Sequence, residues 1–200
     1  VNAFTRLDER LRSEETSQLL AALLVLLLLV LLFTWSGNPQ TRNDSWYSVM
    51  AVRLGGLALL SIWWGARSAQ ASAGDALGGF SAVAVAAAVS LPFELVAFAG
   101  SYPAASLPLT VLFGFSFPLG LYGVTLLLAR LLGRAWFLAV PAAVLLINLF
   151  FVIDGLTGIE ILNPITTLTA DNWLPAASWS SIALATALWL LLRGKERTDE

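Results

Sequence analysis

The chain has 200 residues, 58% of them apolar and 12% charged, with a net charge of −2. Soluble domains carry about 25% charged residues, so an ordinary soluble fold is excluded. The absence of cysteine and histidine excludes disulfides, thiolate metal sites, Ser-His hydrolases and His-ligated zinc or haem within this chain.

Residues 1–17 read as a cytoplasmic amphipathic segment. Phe4, Leu7 and Leu11 recur at helical spacing among Arg6, Asp8, Glu9, Arg10 and Arg12, a pattern suited to a membrane interface; a frayed, solvated tail is the plainer alternative. Leu19–Phe33 then contains no polar side chain. It runs into Thr34-Trp35-Ser36-Gly37, which lacks the small-residue cleavage site of a secretory signal, so it reads as a retained first span. Apolar runs place spans at 18–35, 46–66, 76–99, 106–129, 135–153 and 176–192. The expected fold is therefore all-α and polytopic, with a six-helix transmembrane domain over 18–192 and a cytoplasmic tail over 193–200.

The loops fix the expected orientation. Nine Lys and Arg residues fall in one alternating set (Arg6, Arg10, Arg12, Arg67, Arg130, Arg134, Arg193, Lys195 and Arg197), and only Arg42 falls in the other. The positive-inside rule puts both termini in the cytoplasm. Trp35, Trp46, Trp173 and Trp179 fall near the outer boundary and Trp63, Trp64, Trp136 and Trp189 near the inner one, as an aromatic belt would. The wealth of Leu and Ala with few Lys, Asn and Ile suggests a GC-rich bacterial gene, hence an inner-membrane location. The longest loop, 154–175, holds Asn163-Pro164 between the apolar patches Ile159–Leu162 and Ile165–Leu168. These patches are too short to span, so a re-entrant or interfacial outer segment is expected before the last helix.

Charge inside the spans singles out candidate residues, because a central charge costs about 2.5–3.5 kcal/mol on insertion scales. Arg53 and Glu94 each lie about 9 Å below the outer interface at 1.5 Å per residue, on consecutive antiparallel spans, so they are placed to meet. Glu94 also continues a stripe of small residues, Gly78, Ala82, Ala86 and Ser90, that lets a neighbouring backbone approach. Three readings stay open: an ion pair clamping one hairpin, a polar lining for a substrate or ion path, or an outward-reaching Arg53 beside a protonated Glu94. Asn148 and Asp154, on or at the outer end of span five, are candidates to extend the cluster; for Asn148 an interhelical hydrogen bond is the plainer role. Pro92, Pro118 and Pro141 interrupt spans three to five, and Gly114, Gly120 and Gly123 loosen span four. No catalytic, cofactor-binding or metal-ligating residue is assigned: there is no phosphate-binding glycine loop, and Lys195 in the tail is the only lysine. Neither an enzyme nor a nucleic-acid partner is expected.

An interfacial segment, six spans with both ends inside, a short cytoplasmic loop after span two and a broken outer segment before span six together resemble the permease subunits of exporter-type ABC transporters. The matching stretches are Arg6–Arg12 as elbow helix, Arg67–Asp75 as coupling loop (Arg67, Gln70, Gly74 and Asp75) and Gly158–Leu168 as outer segment. The resemblance implies a permease that moves a substrate with a separate cytoplasmic ATPase subunit and a second membrane subunit or homodimer. Ser68–Gly74 lacks the charged Glu/Arg-rich stretch of that family's loop. Two alternatives therefore stand beside the permease: a non-catalytic accessory or assembly subunit that packs its small-residue stripe against a larger complex, and a small secondary transporter using Arg53 and Glu94.

Overall fold

A computed structural model describes residues 14–34, 39–100, 106–158 and 172–196. The interfacial segment expected before residue 14, Trp35 and the outer segment expected over 159–168 lie outside the described residues. Among those described there is no strand. The helices are α1 (Glu14–Thr34), α2 (Pro39–Arg67), α3 (Ala73–Ala99), α4 (Leu107–Leu132), α5 (Ala139–Thr157) and α6 (Trp173–Glu196). Five helical stretches are long and apolar enough to cross a membrane: Ser17–Thr34, Trp46–Gln70, Ala73–Ala99, Leu107–Phe150 and Trp173–Arg193. Such helices are compatible with a membrane location.

Local chemistry explains the boundaries. α2 starts at Pro39, where a proline costs no helical hydrogen bond. It runs through the polar stretch 40–45 before the apolar run begins, because hydropathy marks burial in hydrocarbon whereas the helix continues as long as its own ladder does. A 3₁₀ turn, Ser68–Gln70, ends the descent. Ser72 then caps α3: its hydroxyl accepts from the Asp75 backbone N–H at 3.2 Å and donates to the Asp75 carboxylate at 2.7 Å. The cap satisfies a first-turn N–H, and the acid lies at the positive end of the helix dipole. α4 ends at Gly133, whose φ of +54° and ψ of −108° are accessible to glycine at little steric cost. The chain passes through a 3₁₀ segment, Gly133–Leu138, into α5.

α4 is the hub, packing against α2, α3, α5 and α6, while α2 also meets α1, α3 and α5. α4 buries a broad apolar surface that includes Leu109, Phe113, Phe117, Leu121, Tyr122 and Leu126. By contrast, α1 buries Leu23 and Leu27 and leaves Val25, Leu26, Leu28, Leu29, Leu32 and Phe33 exposed. An outer surface this apolar is normal only where it is covered by lipid or by another protein.

Three tryptophans differ in direction from an aromatic belt. Trp46, Trp64 and Trp179 are buried among neighbouring helices. Trp46 packs edge-on to Phe98 with centroids 6.0 Å apart, and Trp179 packs edge-on to Phe117 at 5.0 Å. Trp63 and Trp173 remain exposed. Position along the span sets a ring's depth, and helix rotation sets whether it faces lipid or protein.

Candidate functional site

Arg53 and Glu94 meet inside the bundle. Each long, flexible side chain is almost wholly removed from solvent, with exposures of 0% and 1%. Arg53 Nη1 donates to Glu94 Oε2, Nη2 donates to the Ala87 carbonyl at 2.7 Å, and Nε donates to the Ser90 hydroxyl at 3.0 Å. Ser90 in turn donates to the Ala87 carbonyl at 3.2 Å. A buried charge requires this arrangement: the partner ion neutralises it, and neutral acceptors take further N–H groups of the guanidinium fork.

Each helix contributes something different. α2 supplies the cation. α3 supplies every acceptor from Ala87, Ser90 and Glu94, one face over two turns. Pro92, within the same stretch of α3, removes the N–H that would bond the Ala88 carbonyl, opening the helix ladder beside the Ala87 acceptor. α4 supplies space. A Cβ on Gly114 would stand 2.5 Å from Arg53 Nη1 and 3.4 Å from its Cζ. Only a glycine lets α4 close over the guanidinium without pushing it off Glu94.

The small-residue stripe behaves as one surface: Gly78, Ala82, Ala86, Ser90 and Glu94 are all buried. It is used up within this chain's own bundle, so it is not a face left for another subunit. A second link ties α3 to α4 farther along: the buried Tyr122 hydroxyl donates to the Ala76 carbonyl at 2.6 Å. Ala76 precedes Ala87 by eleven residues, about 16 Å along the helix, so α3 is tied by polar bonds to α2 at one level and to α4 at the other.

The other candidates lie apart. Asn148 is exposed on α5 and its Nδ2 donates to the Val144 carbonyl at 2.8 Å, a bond within its own helix. Asp154 is on α5, and its side chain lies outside the described residues. Arg67 and Gln70 are exposed at the turn after α2, Gly74 is half-buried, and Asp75 serves the Ser72 cap. Open apolar grooves lie between α1, α2 and α5, between α1 and α2, and along α4 and α6; neither Arg53 nor Glu94 lines them. Two buried α4 hydroxyls, Thr110 Oγ1 and Ser116 Oγ, have no hydrogen-bond partner among the described residues.

Ser90, Ala87 and Gly114 complete the site, and the sequence indicates their roles unevenly. Ser90 stands in the stripe at the step before Glu94, a visible signal. The Ala87 carbonyl carries no side-chain signal, and Gly114 reads as a loosening residue until the rotation of α4 is known. Among the described residues no group of three His, Cys, Asp or Glu is placed to hold a metal ion. Comparison with protein-family models, curated proteins and solved structures finds no match to this chain.

Proposed function

We propose that this chain is a permease subunit of a bacterial inner-membrane transport system, with six spans, both termini in the cytoplasm, and a separate ATPase as its motor. A second membrane subunit or a second copy of the chain completes the path. The observation that carries this reading is the closed Arg53–Glu94 pair. Two charges that satisfy each other out of reach of solvent join helices rather than hold cargo; on this reading energy and part of the path come from partner chains.

The count of six spans is supported by length. The stretch Leu107–Phe150 has 44 residues, about 66 Å if straight and roughly twice a 30 Å hydrocarbon core. It is broken at Gly133–Leu138, beside Arg130 and Arg134, which the positive-inside rule keeps in the cytoplasm.

The accessory-subunit reading is favoured by a different observation. Only Ala71 and Ser72 lie outside helical turns between α2 and α3, a small footprint for an ATPase. A secondary transporter using Arg53 and Glu94 requires water or substrate to reach a pair whose exposures are 0% and 1%, and is the least favoured of the three.

The deciding experiment is a mild-detergent pull-down of tagged protein from native membranes, with mass spectrometry and an ATPase assay. A co-purifying P-loop ATPase, with ATP-dependent transport lost on replacing Gly74 or Asp75 at unchanged membrane expression, supports the permease. A stoichiometric membrane partner without ATPase activity overturns it in favour of the accessory subunit. A chain that purifies alone, with flux abolished by Glu94→Gln, overturns both.

A further inference from the structure

α4 and α6 run side by side in the same direction. Phe117 and Gly120 meet Trp179, Gly123 meets Thr186, and Arg130 meets Trp189. The approach is close: a Cβ on Gly123 would stand 2.0 Å from the Thr186 hydroxyl oxygen. Along the seam lies an open apolar groove of about 350 Å³, lined by residues including Val124, Leu127, Ile182, Ala185 and Trp189. Leu127 on its wall is exposed, so the groove faces outward from the bundle.

The groove ends in positive charge. The Arg130 guanidinium carbon lies 4.6 Å from the centre of the Trp189 ring and that of Arg193 lies 5.5 Å from the same ring, which puts the two cations within about 10 Å of each other. Among the described side chains neither has an ion-pair partner, and among the described residues the buried Arg130 Nε meets no hydrogen-bond acceptor. Two guanidinium groups that repel each other, one with an unused buried donor, call for an anion. An indole at this level is typical of the headgroup region.

We propose that the α4–α6 seam binds one anionic phospholipid, its phosphate held by Arg130 and Arg193 around Trp189 and one acyl chain laid along the groove. The phosphodiester supplies several acceptors and the negative charge that the arginine forks lack. A zwitterionic lipid would bring its own cation beside two guanidinium groups, and so binds less well. This inference rests on the membrane location proposed above and is independent of the transport reading.

The test is native mass spectrometry of the detergent-purified chain with equimolar phosphatidylglycerol and phosphatidylcholine. One phosphatidylglycerol per chain is expected, preferred by roughly tenfold, as suits two basic side chains at a membrane surface. The Arg130→Gln/Arg193→Gln variant is expected to lose that preference, and so is Arg193→Gln alone in part. Ala185→Phe, which fills the groove and keeps both arginines, is expected to release the lipid while the melting temperature stays near that of the parent. Equal retention of the two lipids, or an unchanged preference in the double variant, overturns the proposal. So does displacement by 50 mM inorganic phosphate with phosphate retained instead, which would make the arginines a simple anion site. Resistance to carbonate extraction, scored separately, distinguishes failure of the membrane location from failure of the lipid site.

Discussion

Replacing Glu94 by leucine would leave the Arg53 guanidinium fully buried opposite an apolar side chain. Its bonds to the Ala87 carbonyl and Ser90 hydroxyl would persist, yet neither carries compensating charge. Breaking one side of a buried pair costs about 3–5 kcal/mol in soluble proteins. That is an upper guide here, since helices that stay inserted on unfolding find other polar partners. We expect Glu94→Leu to destabilise the bundle by about 2–4 kcal/mol, roughly a 30- to 700-fold drop in the folded-to-unfolded ratio. Arg53→Met is expected to cost somewhat less, because an orphaned Glu94 escapes its charge by taking up a proton. The double variant is the informative one. With both charges gone, Ser90 still donates to the Ala87 carbonyl, no buried charge is left, and stability should return to within about 1 kcal/mol of the parent. The assay is reversible unfolding in mixed micelles or by steric trapping in bicelles, run as a double-mutant cycle. A double variant as unstable as the worse single one would refute the reasoning, and so would a Glu94→Leu protein as stable as the parent. A stable double variant that has lost transport would instead give the pair a functional part beyond holding helices.

Two further predictions follow from the backbone. A Cβ on Gly65 would lie 2.7 Å from the Tyr122 carbonyl oxygen, whereas one on Gly55 would meet nothing within 4 Å. Gly65→Ala should therefore cost about 1–3 kcal/mol, because main chain cannot move aside as a side chain can, and Gly55→Ala should be neutral or stabilising by up to about 1 kcal/mol; comparing the two in the same unfolding assay checks the α2–α4 packing directly. The chain has no native cysteine, so single cysteines can map its orientation. Gln70→Cys and Arg134→Cys should both react with an impermeant maleimide only from the cytoplasmic side, and Gly158→Cys only from the opposite side; labelling of Arg134→Cys and Gly158→Cys from one side would refute a separate fifth span.

How far the site can be read from the chain depends on the kind of information each residue carries. The meeting of Arg53 and Glu94 is legible because depth along a helix is a linear quantity, and two consecutive spans with charges at matched depth bring them level. The burial of the Gly78–Glu94 stripe is legible because a four-residue step is a local property of one helix. Asn148 is not legible in the same way: an amide in an apolar run needs a partner, and the carbonyl four residues back in its own helix serves as well as a neighbouring helix. The inward turn of Trp46 and Trp179 depends on rotation about the helix axis, which hydropathy does not report.

By itself, the sequence determines that this chain forms long apolar helices, where most of their ends fall and at what level along them the charges sit, because these follow from hydrogen bonding and transfer free energy along a single segment of chain. The tertiary structure alone decides that Gly114 on α4 makes room for the guanidinium, that Ala87 lends it a carbonyl, and that Arg130 and Arg193 come to share Trp189. Those outcomes depend on how the helices are rotated and set against one another, and no single helix contains that information.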